Sequence, residues 1–419
     1  MLDLKLIRSD TERVKAALAR RGAADTVDEL LELDERRRQL LPEIEGARSE
    51  RKQASERIGA AKKAGEDASE AIAAVRELKE GLERLEAELE GVESRRDEIA
   101  AHLPNLPDPT SPDGFTDEDA ELIREVGEVP RFDFPVKDHL ELAGAGIEME
   151  AAGRVSGARF AYLMGDLVML EFALVRYALE KLRGQGHEPV IPPVLVREEA
   201  LFGTGFLPGD RDQIYELPKD ELFLAGTSEV PLASLHAGQI LEADQLPIRY
   251  AGFSSCFRRE AGAAGRDTHG IFRVHQFDKV EMFSFVKPED AAAEHERILA
   301  IEESILTELG LPYRVVNVAA GDLGGSAAKK YDCEAWIPSQ ERYRELTSCS
   351  NTTDFQARRL GCRYRPEPEA HPEFVNTLNG TAVAVGRTLI ALLEIHQRRD
   401  GTVVVPDALR DCGAPDTIG

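Results

Sequence analysis

Apolar positions follow two different rules along the chain. From Val27 onward, Leu30, Leu33, Leu40, Ile44, Ala47, Ala54, Ile58 and Ala61 recur on three- and four-residue steps, interrupted by Arg37 and Arg51. After Ala64-Gly65-Glu66-Asp67 the same steps return through Ile72, Val75, Leu78, Leu82, Leu85, Leu89 and Val92. Seams of this kind predict two long helices folded into an antiparallel coiled-coil hairpin around a glycine turn. Each arm of about 35 residues would reach roughly 50 Å at 1.5 Å per residue. Little outside the seam is apolar, so the hairpin is expected to project from the body. Ahead of it, Met1 to Gly22 reads as a short docking segment and helix, capped at Ser9 or Asp10.

The proline-rich stretch His102 to Pro112 ends this regime and reads as a linker, and Gly114 to Gly146 is acidic and irregular. Beyond it, apolar helices alternate with strand-like runs. Asp166 to Leu182 is a strongly apolar helix, stopped by Gly184 and Gly186. His187 to Val196 is a strand punctuated by Pro189, Pro192 and Pro193, which places it at a sheet edge or an interface. Pro288 to Leu309 has Ile298, Ile301, Ile305 and Leu309 on one helical face, a core pattern. The expected class is α+β, with a coiled-coil domain over residues 1–105 and a second domain over 106–419, of which 106–150 is a linker and leading segment.

The chemistry concentrates in a central stretch. A strand-like approach, Phe253 to Phe257, meets Arg258, Arg259 and Glu260; a small-residue loop from Ala261 to Gly270 follows. Ile271 to Phe285 then alternates as a returning strand, with Phe272, Val274, Gln276, Asp278, Val280 and Met282 at one parity. Arginine offers a planar fork for phosphate oxygens, Phe277 a stacking face for a base, and Glu260 an acceptor for an exocyclic amine. A plain salt-bridged hairpin would carry the same residues.

Three further stretches invite chemistry. At Gly226-Thr227-Ser228-Glu229 a strand enters the helix Val230 to Gln239, which Thr227 or Ser228 would cap. In Tyr343 to Asn351, alternation puts Glu345 and Thr347 on one face and Leu346 and Ser348 on the other. Carboxylate and hydroxyl oxygens at a strand end suit a hard divalent cation shared with phosphates. Asn379 to Gly386 reads as a strand leading into the helix Thr388 to Gln397, with Arg387 at its start, a position favourable to anions. Gly321-Asp322-Leu323-Gly324-Gly325-Ser326 lacks the G-x-x-x-x-G-K order of a phosphate loop.

Composition narrows the partners. The formal charge of −25 argues against a general nucleic-acid coat but not against a local basic patch. Arg36, Arg37, Arg38, Arg48, Arg51, Lys52, Arg57, Lys62 and Lys63 lie on the first arm helix, and Glu77, Glu80, Glu83, Glu86, Glu88 and Glu90 on the second. They read either as complementary coiled-coil flanks or as a phosphate-tracking face that binds RNA by shape. Five cysteines without a C-x-x-C pair suggest a reducing compartment and ordinary thiols. With no signal-peptide pattern and no apolar run of membrane length, the expected location is cytoplasmic, without membrane contact.

Phe257-Arg258-x-Glu260 followed by Arg273-x-His275-x-Phe277-x-Lys279-Val280-Glu281 resembles motif 2 of class II aminoacyl-tRNA synthetases, in the form of bacterial-type seryl-tRNA synthetases. The helix and strand ending at Pro193 resemble motif 1, and Asn379 to Arg387 resembles motif 3. Gly321 to Gly324 with Ala328, Lys330, Tyr331, Asp332, Glu334 and Trp336 resembles a further family segment. Together these motifs span nearly the whole chain.

The resemblance implies an antiparallel catalytic sheet flanked by helices, a homodimer, and ligation of L-serine to tRNA(Ser), with tRNA(Sec) as a further acceptor, at the expense of ATP with Mg2+. It implies catalytic roles for Arg258 and Arg387, and ATP contacts from Arg258, Arg259, Glu260, Val274, Phe277, Glu345, Leu346, Thr347, Ser348 and Arg387. Serine contacts would come from Thr227, Ser228, Glu229, Arg258, Glu281, Asn379 and Thr381, and Mg2+ ligands from Glu345 and Ser348. Transfer RNA would meet Arg48, Arg51, Lys52, Arg57, Lys62 and Lys63 on the arm. Two other classes share the scaffold: a paralogue loading an amino acid onto a carrier protein, and a non-catalytic regulator. The intact arm weighs against the first; Arg258, Glu260, Glu345 and Arg387 weigh against the second.

Overall fold

The computed structural model describes residues 1–65, 67–262, 267 and 269–419. These fall into two units, Leu2–Leu103 and Pro104–Gly419 together with Met1.

In the first unit, the three- and four-residue apolar steps produce helices α1 (Val27–Ala64) and α2 (Ser69–His102), packed as a hairpin. Gly65 ends α1 at φ 74°, a left-handed conformation that favours glycine, while Glu66 of the expected turn lies outside the described residues. The seam is buried at Leu30, Leu40, Ile44, Leu82 and Ile99, but Ala54, Ile58 and Ala61 are only half-buried and Ile72 is exposed. Cross-helix ion pairs flank it: Arg36 with Glu88 and Arg37 with Glu93, each at 2.7 Å, and Arg48 with Glu86 at 2.6 Å. The complementary-flank reading therefore holds for the arginines nearer the root.

In the second unit, eight strands among the described residues make one sheet. They are β1 (Glu121–Val126), β2 (Glu188–Val190), β3 (Ile248–Phe257), β4 (Gln276–Val286), β5 (Tyr313–Asn317), β6 (Lys329–Ile337), β7 (Arg342–Asn351) and β8 (Asn376–Ala384). The order is β1-β5-β6-β7-β8-β4-β3-β2; every ladder is antiparallel except β2 on β3. The proline-punctuated segment supplies β2 and sits at the sheet edge, as its composition requires. Class α+β, with an antiparallel-dominated sheet flanked by helices, is borne out.

Helices α3 (Asp166–Gly184), α6 (Ala291–Glu308) and α8 (Val385–Ile395) share one core with the back of this sheet. Leu170, Leu174, Ile298, Ile305 and Leu389 pack there against Val280, Met282, Cys333 and Leu378. Among the shorter helices of this unit, α4 (Glu198–Thr204), α5 (Glu229–Ser234) and α7 (Phe355–Leu360) bear on the site. Packing of α6 is close enough that a Cβ on Gly380 of β8 would lie 2.3 Å from Ile298 Cγ2 and 3.2 Å from Cys349 Cβ, so only glycine fits. Two boundaries differ from those expected: α6 starts at Ala291 after a short 3-10 turn, and α5 ends at Ser234 rather than running to Gln239.

Candidate functional site

The front of β4 is polar where the back is apolar. Phe277, Lys279 and Glu281 alternate onto the face opposite Val280 and Met282, and all three line a cavity of about 330 Å³. The expected strand from Ile271 begins only at Gln276; Ile271 to Val274 form an irregular wall of the cavity instead. Loop residues Ala263 to Arg266 and Thr268 lie outside the described residues.

One end of the cavity is cationic and aromatic. Arg258 follows β3, donates from Nε to the Gly226 carbonyl at 3.1 Å, and lays its guanidinium 5.3 Å from the Phe277 ring centre. Arg387, in the first turn of α8, donates to the Glu345 carbonyl at 2.9 Å, and its guanidinium lies 5.0 Å from the Phe272 ring. Glu260 sits at φ 50°, unusual for a residue with a side chain, and is held by Arg273 at 2.5 Å. Val274 lines the same wall. Arg259 does not join them; its guanidinium lies 5.7 Å from the Tyr215 ring, and it is absent from the cavity lining.

Strict alternation along β7 would separate Glu345 from Ser348, and the structure corrects that expectation. The β6–β7 ladder pairs Cys333 with Thr347 but Glu334 with Glu345, so Leu346 is an unpaired extra residue. The bulge turns Glu345, Leu346 and Ser348 all toward the cavity. Thr347 points the other way and donates to the buried Glu302 carboxyl at 3.2 Å. Burial opposes charge on Glu345, but Lys330, Arg387 and Arg258 outweigh it and hold its carboxyl down at about 2.

The other end gathers carboxylates around one lysine. Lys279, 6% exposed, donates to Thr227 Oγ1 at 2.7 Å and pairs with Glu281. Glu281 faces Thr381 directly across the β4–β8 ladder, where Ala382 bulges out. Burial pushes Glu281 up to about 7, with Lys279 opposing and Glu229 adding to the rise. Burial raises Glu229 as well, against donors Gln356 and Asn379 and the charges of Lys279 and Arg258. Thr227, Glu229, Glu281, Asn379 and Thr381 all line the cavity. Ser228 is fully buried, bonded to Ser254 at 2.8 Å, and does not cap α5; Thr227 Oγ1 accepts the Glu229 amide at 3.2 Å.

Several lining residues were not singled out as site residues from the sequence. Lys279 reads as an ordinary strand charge until its burial is known, and Lys330 and Phe272 read as parts of longer motifs. Gly324 to Ala327 line the cavity although no phosphate-loop order marks them. Two signals pointed to Lys279: it shares the parity of Phe277 and Glu281, and it stands inside the motif 2 resemblance.

A divalent cation would find two hard oxygen donors on one wall, the Glu345 carboxylate and the Ser348 hydroxyl. Among the described residues no group of three or more His, Cys, Asp or Glu could hold a metal ion. The pair therefore fits an ion whose remaining ligands arrive with a substrate. On the arm, Arg51, Lys52, Arg57, Lys62 and Lys63 are exposed without an ion-pair partner among the described residues, whereas Arg48 is engaged by Glu86.

Residues 1–107 match the seryl-tRNA synthetase N-terminal domain model, and residues 214–396 match the class II tRNA synthetase core domain (G, H, P, S and T). A serine--tRNA ligase of Acidothermus cellulolyticus is 50% identical over 100% of this chain and 99% of that protein. The seryl-tRNA synthetase of Pyrococcus horikoshii, solved with ATP, superposes with TM-score 0.92 at 42% identity, covering 100% and 99% of the two chains. The cytoplasmic serine-tRNA ligase of Naegleria fowleri, solved with AMP, superposes with TM-score 0.86 at 32% identity, covering 100% and 98%.

Proposed function

Because the chain belongs to the seryl-tRNA synthetase family and so is an ATP-dependent serine–tRNA ligase, we propose that its cavity seats ATP and L-serine end to end. The nucleotide lies toward Arg258, Phe277 and Arg387, and the amino acid toward Glu229, Glu281 and Thr381. The observation that carries this division is the polarity of one cavity: arginines and aromatic rings at one end, carboxylates around Lys279 at the other.

Adenine would sit between Phe277 and the Arg387 guanidinium, against Val274, with Glu260 accepting from its amino group. Arg258 would hold the α-phosphate and stabilise the charge that develops on it. Glu345 and Ser348 would hold Mg2+, which when bound neutralises phosphate charge. Glu229 and Glu281 would take the serine ammonium, and Thr381 its hydroxyl. The serine carboxylate attacks the α-phosphorus in line and pyrophosphate leaves; the terminal adenosine hydroxyl of tRNA then attacks the adenylate carbonyl. Positioning and electrostatics carry both steps, since neither demands a strong protein base.

The same reading extends to assembly and partners. Met169 and Phe172 on α3, with Ile191 beyond β2, are exposed apolar residues on the helix and strand of motif 1, and suit a homodimer face. Basic residues of α1 without an ion-pair partner among the described residues suit a tRNA backbone, with tRNA(Ser) and tRNA(Sec) as acceptors. No described helix is long and apolar enough to cross a membrane, in keeping with a cytoplasmic location.

ATP–pyrophosphate exchange with each of the twenty amino acids, without tRNA, tests the reading. Exchange with serine alone supports it. Exchange driven by another amino acid overturns the assignment of the carboxylate end, and no exchange overturns the catalytic reading.

A further inference from the structure

Gln356 lies outside the cavity lining, fully buried on α7, yet it touches the cavity's amino-acid end. Its Nε2 donates to Glu229 Oε1 at 2.7 Å and to the Thr204 carbonyl at 3.1 Å. On its other side, Oε1 accepts from the Thr377 hydroxyl at 2.8 Å, with the Thr352 hydroxyl 3.3 Å away. Both threonines are fully buried, and Thr352 in turn donates to the Thr377 carbonyl at 2.7 Å.

This arrangement fixes which way the amide points. A flipped amide would press its oxygen against a carboxylate and a carbonyl, two acceptors with no hydrogen to share, while hydroxyls tolerate either neighbour. Gln356 therefore presents its donors to Glu229 and cannot turn. The result is a buried chain of hydrogen bonds running from Thr377 on β8 through α7 to a carboxylate whose other face lines the cavity.

We propose that Gln356 is a positioning residue for serine recognition, holding the Glu229 carboxylate in one orientation and in its charged form from outside the cavity. The proposal rests on the reading of Glu229 as a contact for the substrate ammonium. The charged groups facing Glu229 are Lys279 and Glu281 on β4 and Arg258 beyond β3; Lys279 and Arg258 favour its ionisation, as Gln356 and Asn379 do by hydrogen bonding, and Glu281 disfavours it. Gln356 differs from the two cations in supplying a fixed direction. A hydrogen bond to a charged group is among the stronger ones, and losing it leaves the acceptor buried and under-satisfied.

Pyrophosphate exchange in the full-length enzyme, measured from pH 5.5 to 9, tests this with three variants. Gln356→Met keeps the shape and removes the donor. It is expected to lower kcat/KM for serine by about tenfold to a hundredfold, leave KM for ATP within about twofold, and move the acidic limb of the serine profile to higher pH. Gln356→Glu keeps an acceptor for both threonine hydroxyls. With one proton shared between the two carboxyls it is expected to work near neutrality, and to lose serine kcat/KM at alkaline pH, where that proton leaves, more steeply than wild type does. Glu229→Gln is expected to lose serine kcat/KM by more than either.

A Gln356→Met profile for serine that superposes on wild type overturns the proposal while leaving Glu229 in place. Equal losses toward serine and ATP, independent of pH in both Gln356 variants, overturn it in favour of plain packing. Wild-type serine kinetics in Glu229→Gln overturn the reading beneath it.

Discussion

Glu345 and Ser348 lie three residues apart on one strand yet line the same wall of the cavity, because the ladder slips at Leu346. Two oxygen donors are thereby aimed together, while Thr347 between them is turned to the back of the sheet. Titrating Mg2+ into the exchange assay should separate the three. Glu345→Gln is expected to raise the half-saturating Mg2+ concentration about tenfold or more, and Ser348→Ala by less; Thr347→Val should leave it unchanged. Chelation of divalent cations should abolish exchange in the wild type.

Gly380 should tolerate no side chain. Gly380→Ala places a Cβ against Ile298 and Cys349 at the back of the sheet, and overpacking of this kind costs about 1–3 kcal/mol. Denaturant unfolding should show that loss. Ile298→Ala removes the clashing Cγ2, so in that background Gly380→Ala should cost less than it does in the wild type, and an unchanged cost would place the clash elsewhere.

Glu171 on α3 meets Asp278 on the back of β4, and burial together with that neighbour pushes Glu171 up to about 8. In the unfolded chain it titrates near 4.5. Between those values the folded state binds the extra proton, so this pair's contribution is fully present below about pH 4.5 and is lost as pH rises through about 8. Thermal midpoints should fall across that window from this source, and Glu171→Gln should flatten the slope. An unchanged slope in the variant would assign it to other groups.

Deleting Leu31 to Glu98 should leave serine-dependent exchange largely intact and abolish tRNA charging. A milder version reverses the charge of Arg51, Lys52, Arg57, Lys62 and Lys63, which have no ion-pair partner among the described residues, and should raise KM for tRNA without touching exchange. Reversing Arg48 alone should also strain the hairpin, since Glu86 would lose its pair. Equal loss of both activities in the deletion would sink this division of labour.

Periodic segments were the most legible part of the chain. The hairpin declares itself because a coiled-coil seam is a local pattern, repeated until no other reading fits. The strands of the site were legible as strands, but not their faces. Alternation predicts facing only while the ladder keeps register, and bulges at Leu346 and Ala382 break it where Glu345 and Thr381 must turn inward. Parity put Lys279 beside Phe277 and Glu281 without revealing its burial, and nothing in the spacing marked Gln356. Their significance comes from burial and from partners 52 and 127 residues away in sequence, which only the folded chain brings near. Ser228 shows the converse: a favourable residue type beside a helix start, whose hydroxyl is taken by Ser254 across the strand.

The seam between α1 and α2 is dry at Leu30, Leu40, Leu82 and Ile99 and wet around Ala54, Ile58 and Ile72. Cooperativity along such a pair is uneven: the root opens only with the whole hairpin, while the last turns open on their own at little cost. Arg51, Lys52, Arg57, Lys62 and Lys63, without an ion-pair partner among the described residues, sit on this loosely packed part of α1. An RNA bound there would meet a surface able to adjust its backbone, and the energy of that adjustment would be subtracted from the affinity. Tight packing at the root and loose packing at the tip thus set a compliance gradient, giving the hairpin a fixed base and a yielding end.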